Sequence, residues 1–433
     1  MQKSGYTGFC LLIVVLLVLI AVTPTMAATT LNSKNRIIIG FSMNLDAKTL
    51  SKSYVADLLD KANIRFDKIL HIDKVLKFAV IKTNTPINIV KKKLLSIGDG
   101  IVVYVEPDWV VGLTDPVKVQ NTSISVNSDY LPNDPYLKYQ WGLFSISAPK
   151  AWDIEKGNSS IIVAVIDTGI DYTHPDLATH YVGGYDFVNN DANPLDDNGH
   201  GTHCAGIIAA IMNNSIGVAG VAQVGIRAEK VLNARGMGYT SWIAEGIVDA
   251  VEHGARILSM SLGSPFPSNT LRRACLYAWK HNCLIVAAAG NDGWYGVEYP
   301  ARYKTVMAVG ALNPNGTKAW FSNYGKGLEI MAPGVDILST MPTYPVYLNV
   351  TYGYPLNYTN LSGTSMAAPF VAGVAALVWS HYPNMTNLEV RWILDHSTVD
   401  LGVRGWDKYY GFGEVNAYYA LLNASKLAVS LKH

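Results

Sequence analysis

Hydrophobic positions along the chain fall into three regimes. Residues 9–22 (FCLLIVVLLVLIAV) form an unbroken apolar run of fourteen. That is shorter than the ~20 residues of a spanning helix and fits the core of an export signal. Lys3 precedes the run, and Pro24 with the small-residue site Thr25-Met26-Ala27 follows it. The pattern predicts cleavage after Ala27, which would carry Cys10 away. No later stretch reads as long and apolar enough to cross a bilayer, so no membrane contact is expected after cleavage.

From residue 36 to 111 short strands alternate with two helical patterns. RIIIGFSM reads as a strand, and residues 46–62 carry Leu50, Tyr54, Leu58 and Leu59 at helical spacing. KILHI and KFAVIKT read as strands, INIVKKKLLSI as a helix and IVVYVEP as a strand. The order β-α-β-β-α-β is the split βαβ arrangement of a small ferredoxin-like α+β unit. Residues 114–130 are polar and aperiodic, a linker. From residue 131 the apolar runs IIVAVID, RILSMSL, CLIVAAAG and VMAVGA alternate with helical stretches at 201–212, 240–253, 269–281 and 364–380. Short buried strands between helices predict an α/β domain with a doubly wound parallel sheet. The chain thus divides into a leader (1–27), a small unit (28–113), a linker (114–130) and a large domain (131–433).

Composition acts mainly by exclusion. With 49% hydrophobic and 15% charged residues, the chain is no disordered polymer. A net charge of +1 gives no electrostatic case for nucleic acid as a partner. The charge is unevenly divided: residues 28–130 hold 14 basic and 10 acidic side chains, residues 131–433 hold 19 and 23. Opposite signs suggest two units that attract. Cys204, Cys275 and Cys283 are too few for a disulfide scaffold, and the last two are either bridged or two buried thiols. N-x-S/T triplets, at Asn121, Asn349 and Asn423 among others, agree with an exported glycoprotein.

Three motifs carry chemistry. IIVAVIDTGID puts Asp167 at the end of an apolar strand, where groups in open α/β sheets gather at a reactive edge. HGTHCAG opens a helix with His200, a side chain able to take and return a proton near neutral pH. GTSMAAPFVAGVAALVW sets Ser365 at a helix N-terminus among small residues, where free N–H groups and the helix dipole favour an oxyanion. Each alone is readily a capping or turn residue.

Together, in the order Asp, His, Ser, they resemble the subtilisin-like serine proteases, in particular the thermitase, proteinase K and subtilisin branch. QWGL, APKAWD, HPDL, SMSLG, AAAGN and VNAYYAL extend the resemblance from about Asn133 to Tyr419. The resemblance implies a secreted, monomeric enzyme acting on polypeptide substrates. Ser365 would be the nucleophile, His200 the base, Asp167 its orienting carboxylate and Asn291 the oxyanion-hole amide. Substrate would lie against Ser261, Leu262, Gly263, Ala288 and Gly290, with Glu298 at the floor of the P1 pocket and Asp292 at its rim. The small unit resembles the family's propeptide, a folding aid and inhibitor. The resemblance also implies structural Ca²⁺. One site would use Asp134, Asp176, the Asn214 side chain and the carbonyls of Ile211, Ile216 and Val218. A second would use Asp186, Asn189, Asp191 and Asn193. No catalytic cofactor is implied. Two rivals are an inactive secreted binding protein on the same fold and an α/β-hydrolase esterase, whose G-x-S-x-G elbow the GTSMA segment lacks.

Overall fold

The computed structural model describes residues 35–97, 100–113 and 131–430. The expected leader and linker lie outside the described residues.

The small unit runs β1 (Arg36–Phe41), α1 (Lys52–Lys61), β2 (Lys68–Asp73), β3 (Phe78–Lys82), α2 (Ile87–Ile97), β4 (Val102–Pro107). Its antiparallel sheet has the order β2-β3-β1-β4. Helix α1 starts six residues later than its apolar spacing suggests, because the Ser51 hydroxyl accepts from the Tyr54 N–H and caps it there. Side chains alternate across the sheet. Ile37, Ile39, Phe41, Ala79 and Ile81 pack on the unit's own helices. Ile38, Phe78 and Val80 point the other way and merge with the core of the large domain.

After β5 (Val110–Leu113), the large domain opens with α3 (Trp141–Ser145) and α4 (Ala148–Trp152). Its sheet comprises β6 (Ile162–Asp167), β7 (Tyr181–Asp186), β8 (Gly225–Lys230), β10 (Ile257–Met260), β12 (Leu284–Ala288), β13 (Val306–Leu312) and β14 (Ile330–Pro333). These seven strands are parallel in the order β14-β13-β12-β10-β6-β8-β7. Two short strands, β9 (Met237–Tyr239) and β11 (Leu262–Gly263), flank β5 in a separate antiparallel sheet.

Helices α5 (His200–Ala209), α6 (Thr240–Glu252), α7 (Asn269–Lys280), α8 (Tyr347–Tyr352), α9 (Thr364–His381), α10 (Asn387–Asp395) and α11 (Ala417–Ser430) complete the domain. Helix α9 corrects one expectation. By length and composition it could cross a membrane, yet 89% of it is buried inside the protein. It is apolar on every side because it runs through the core, with the sheet and helices α5, α10 and α11 against it.

Contacts between the units do not follow their net charges. Glu106, from the more basic unit, accepts from the Asn269 and Thr270 N–H groups at 2.9 Å, at the start of α7. Asp108 accepts from the Ser241 N–H at 3.0 Å, near the start of α6. Carboxylates on helix N-termini satisfy unpaired donors and oppose the dipole. From the large domain, Arg273 donates to the Phe41 and Leu76 carbonyls at 2.9 and 3.1 Å.

Candidate active site

The site forms where β6, α5 and α9 end or begin together. Asp167, the last residue of β6, accepts the Thr168 N–H through Oδ1 at 2.7 Å. The same oxygen lies 2.8 Å from His200 Nδ1, at the first residue of α5. Both side chains are fully buried. Burial alone would push the His200 imidazole down, but the adjacent Asp167 carboxylate outweighs it and holds His200 well above its ordinary value. Among the described residues His200 Nε2 has no hydrogen-bond partner.

Ser365 is the second residue of α9, and its hydroxyl donates to the Ser261 carbonyl at 3.2 Å. Ser261 Oγ donates back to the Ser365 carbonyl at 2.7 Å. The Cys204 thiol bridges the two halves of the site, 3.8 Å from His200 Nδ1 and 3.5 Å from the Ser365 carbonyl. Burial raises its pKa, so it stays a thiol. Cys275 and Cys283 are likewise free and buried, which settles the bridge alternative against a disulfide.

Two supports escape a reading of the sequence. Asp196 accepts from the Thr168 hydroxyl at 2.9 Å and from the Asn198, Gly199 and Thr202 N–H groups at 2.9–3.0 Å. It thereby locks the entry to α5 and the loop after Asp167 into one piece. Lys230, buried in β8, donates to the Thr168 and Leu232 carbonyls at 2.7 and 3.1 Å and pairs with Asp197. The DDNGH stretch carries a readable capping signal for Asp196. A buried lysine in a strand offers none.

Asn291 Oδ1 accepts from the Thr364 N–H at 2.9 Å and the Thr364 hydroxyl at 2.8 Å. These two donors fix the amide's orientation, with Nδ2 beside Gly363, where an added Cβ would meet it at 3.1 Å. The arrangement suits stabilisation of a negative oxygen next to Ser365. Asn291→Ala is expected to lower kcat about 10²- to 10³-fold with a smaller change in KM, the size of loss known in subtilisin. Steady-state kinetics on a peptide anilide would check it.

The Subtilase family (peptidase S8) profile matches residues 158–413. The chain belongs to the subtilase family. It is 44% identical to Thermitase of Thermoactinomyces vulgaris over 294 residues, covering 67% of this chain and 99% of thermitase. It is 46% identical to Subtilisin Savinase of Lederbergia lenta over 278 residues, covering 64% of this chain and 96% of savinase. In structure it is similar to fervidolysin of Fervidobacterium pennivorans, a keratinolytic enzyme related to subtilisin, with a TM-score of 0.77 at 30% identity. That match covers 90% of this chain, which spans 61% of the fervidolysin chain. The seven-stranded sheet and these relatives make the protein a subtilisin-like serine endopeptidase.

In this subtilase the cleft beside Ser365 holds a strand of the chain itself. β5 pairs with β11 on one side, Gly112 opposite Gly263 and Leu113 opposite Leu262. On the other side it pairs with β9, Val111 opposite Gly238. The residues expected to line a substrate pocket come together here. Ser261 leads into β11 (Leu262–Gly263), Ala288 ends β12 two residues before Gly290, and the Glu298 side chain lies against both Gly263 and Gly290.

The expected metal ligands fall into two loops. Asp134 and Asp176 are buried, and among the described residues neither is in an ion pair. Burial first, and the Asp134 charge as well, push Asp176 up to about 6. Asn214 donates to Asp176 through Nδ2 at 2.6 Å, and the Asn214 and Val218 N–H groups reach Asp134 and Asp176 at 3.2 and 3.0 Å. The Ile211 N–H meets the Asp176 carbonyl at 2.9 Å, and the Ile216 N–H meets Asn214 Oδ1 at 2.9 Å. Two buried carboxylates held by one residue, Asn214, without a basic partner fit a cation. In the second loop Asp186 accepts from the Val188 and Asn189 N–H groups and from Asn189 Nδ2, all at 2.8–2.9 Å. Asp191 accepts from the Asn193 N–H at 2.9 Å, and Asn193 from the Tyr172 hydroxyl at 2.7 Å. The bonds on Asp186 and Asp191 are those of Asx turns made within the loop, and Tyr172 reaches Asn193 from outside it.

Proposed function

We propose that this subtilase is an exported endopeptidase made as a zymogen, held inactive by residues 28–113 and matured by its own Ser365. The observation that carries the reading is β5 lying antiparallel between β9 and β11, the track an extended substrate would follow. Glu106 and Asp108 on two helix N-termini brace the small unit in that position. The apolar run at residues 9–22 supports export.

In the reaction the Ser365 hydroxyl turns from the Ser261 carbonyl to attack the scissile carbonyl carbon. Its proton passes to His200 Nε2. Asp167 holds Nδ1–H, which fixes the tautomer and stabilises the imidazolium. The carbonyl oxygen becomes negative and is received by Asn291 Nδ2 and the Ser365 N–H. His200 then returns the proton to the leaving amine. Water repeats the sequence on the acyl-enzyme and frees the carboxylate. N-terminal sequencing of the exported protein tests the zymogen reading. A new N-terminus between Gly112 and Asn133, appearing together with casein hydrolysis, is expected. A fully active protein that keeps residues 28–113 attached would overturn it.

Asp134, Asp176 and Asn214, with the carbonyls of Ile211, Ile216 and Val218, would hold a Ca²⁺ that neutralises the two carboxylates and ties the N-terminal loop to the domain. A second ion at Asp186, Asn189, Asp191 and Asn193 would first need the Asn189 amide to release Asp186. At a thousandfold excess over Kd, a bound ion stabilises by about 4 kcal/mol. Chelation is therefore expected to lower the melting temperature by several degrees, and Asp176→Ala to remove the response. Calorimetry with and without EGTA measures this, and identical melting curves would exclude the ion.

A further inference from the structure

The register of β5 locates the pocket for the residue whose carbonyl is attacked. Leu113 stands opposite Leu262, so a substrate on the same track carries its next residue opposite Ser261. The Ser261 carbonyl is the group that receives the Ser365 hydroxyl, at 3.2 Å, so that residue is the one adjoining the scissile bond. Its side chain would be received between the Ser261–Gly263 edge and the end of β12.

Between these two edges lies the side chain of Glu298. A Cβ on Gly263 would overlap Glu298 Oε2, and one on Gly290 would lie 2.9 Å from Glu298 Cγ. The Glu298 side chain thus sits against both glycine backbones, anchored by its own N–H donating to the Ala289 carbonyl at 3.0 Å. The Asp292 carboxylate is near enough to act on it electrostatically. Among the described residues neither carboxyl is in an ion pair. Glu298 within this slot and the exposed Asp292 beside it therefore make this part of the track acidic.

We propose that this pocket receives the side chain of Lys or Arg, so that the subtilase cleaves after basic residues. The inference rests on the protease reading and adds its substrate class. Burial, then the neighbouring Asp292 charge, push Glu298 up to about 8, which favours its protonated form. An entering guanidinium or ammonium takes that proton's place: one proton leaves Glu298 for solvent as one cation binds, and the Glu298 carboxylate gains a charge-assisted partner. An apolar side chain of the same length would instead cover the acidic pair and strip its remaining hydration.

The test uses protein secreted from the full-length chain and tetrapeptide anilides that differ only in the last residue: Arg, Lys, Gln or Phe. A charged hydrogen bond in such a pocket favours Arg and Lys over Phe by about 10- to 100-fold in kcat/KM. Glu298→Gln is expected to remove at least tenfold of that preference, and Asp292→Asn to reduce it. A wild-type preference for Phe, or a preference for Arg that survives in Glu298→Gln, would overturn the proposal while leaving the protease reading intact. If the wild type cleaves neither these peptides nor casein, the protease reading falls as well.

Discussion

Ser365→Ala is expected to lower kcat about 10⁶-fold, a magnitude taken from subtilisin rather than derived for this chain. The loss should be chemical and not structural. The contacts that seat the start of α9 are made by backbone: the Ser365 carbonyl accepts from Ser261 Oγ and from the Cys204 thiol, and both survive the substitution. Thr364, which orients Asn291, is likewise untouched. The variant should therefore fold and bind substrate. It should also keep residues 28–113, because no nucleophile remains to cut the chain after Gly112. Intact mass of the exported Ser365→Ala protein, beside the shorter wild type, measures both effects at once. An alanine variant that matures normally in a host lacking other proteases would show that Ser365 does not process its own chain.

Elements that announce themselves in the sequence are those whose burial is purely apolar. β6, β10, β12 and β13 are runs of Val, Ile, Leu, Met and Ala with few interruptions, and each appears within about a residue or two of its apolar run. β8 does not read as a strand. GIRAEK carries three charges in six residues, yet all six are buried. The reason is tertiary: Arg227 pairs with Glu229 and Asp249, and Lys230 with Asp197 and two carbonyls. A pattern scan sees the charges and cannot see the partners that neutralise them. β7 is hidden by its two glycines, and β14 is four residues ending in Pro333.

The site has the same division. Asp167, His200 and Ser365 are legible because their order is informative even when each residue alone is not. Asn291 is legible from its place after Gly290, whereas Thr364, which aims it, looks like an ordinary helix-start residue. The depth of Glu298 could not be read from spacing. It follows from the absence of side chains at Gly263 and Gly290, two positions far apart in sequence that only the fold sets face to face.

Asp167→Asn should cost about 10⁴-fold in kcat and also move the pH profile. Two placements of the new amide are available, and both are damaging. If Asn Oδ1 takes the place of Asp167 Oδ1, it still accepts from the Thr168 N–H and from His200 Nδ1, so the tautomer is kept. The amide NH₂ then lies where Asp167 Oδ2 is now buried without a hydrogen-bond partner among the described residues, an unsatisfied donor pair. If the amide is reversed, its NH₂ faces the Thr168 N–H and forces Nδ1 to act as acceptor. Nε2 then carries the proton and cannot receive that of Ser365. Either way the negative charge opposite the imidazolium is gone. The pH consequence has a definite sign. Burial pushes His200 down, and the Asp167 carboxylate, ahead of Cys204, lifts it, so removal of that carboxylate takes away the largest influence opposing burial. Turnover requires the neutral imidazole and rises with pH as His200 loses its proton. The rising limb of kcat/KM should therefore shift to lower pH in Asp167→Asn while the plateau falls. A structural defect would lower the plateau and leave the limb where it stands, so profiles of both proteins across pH 5–10 separate the two explanations.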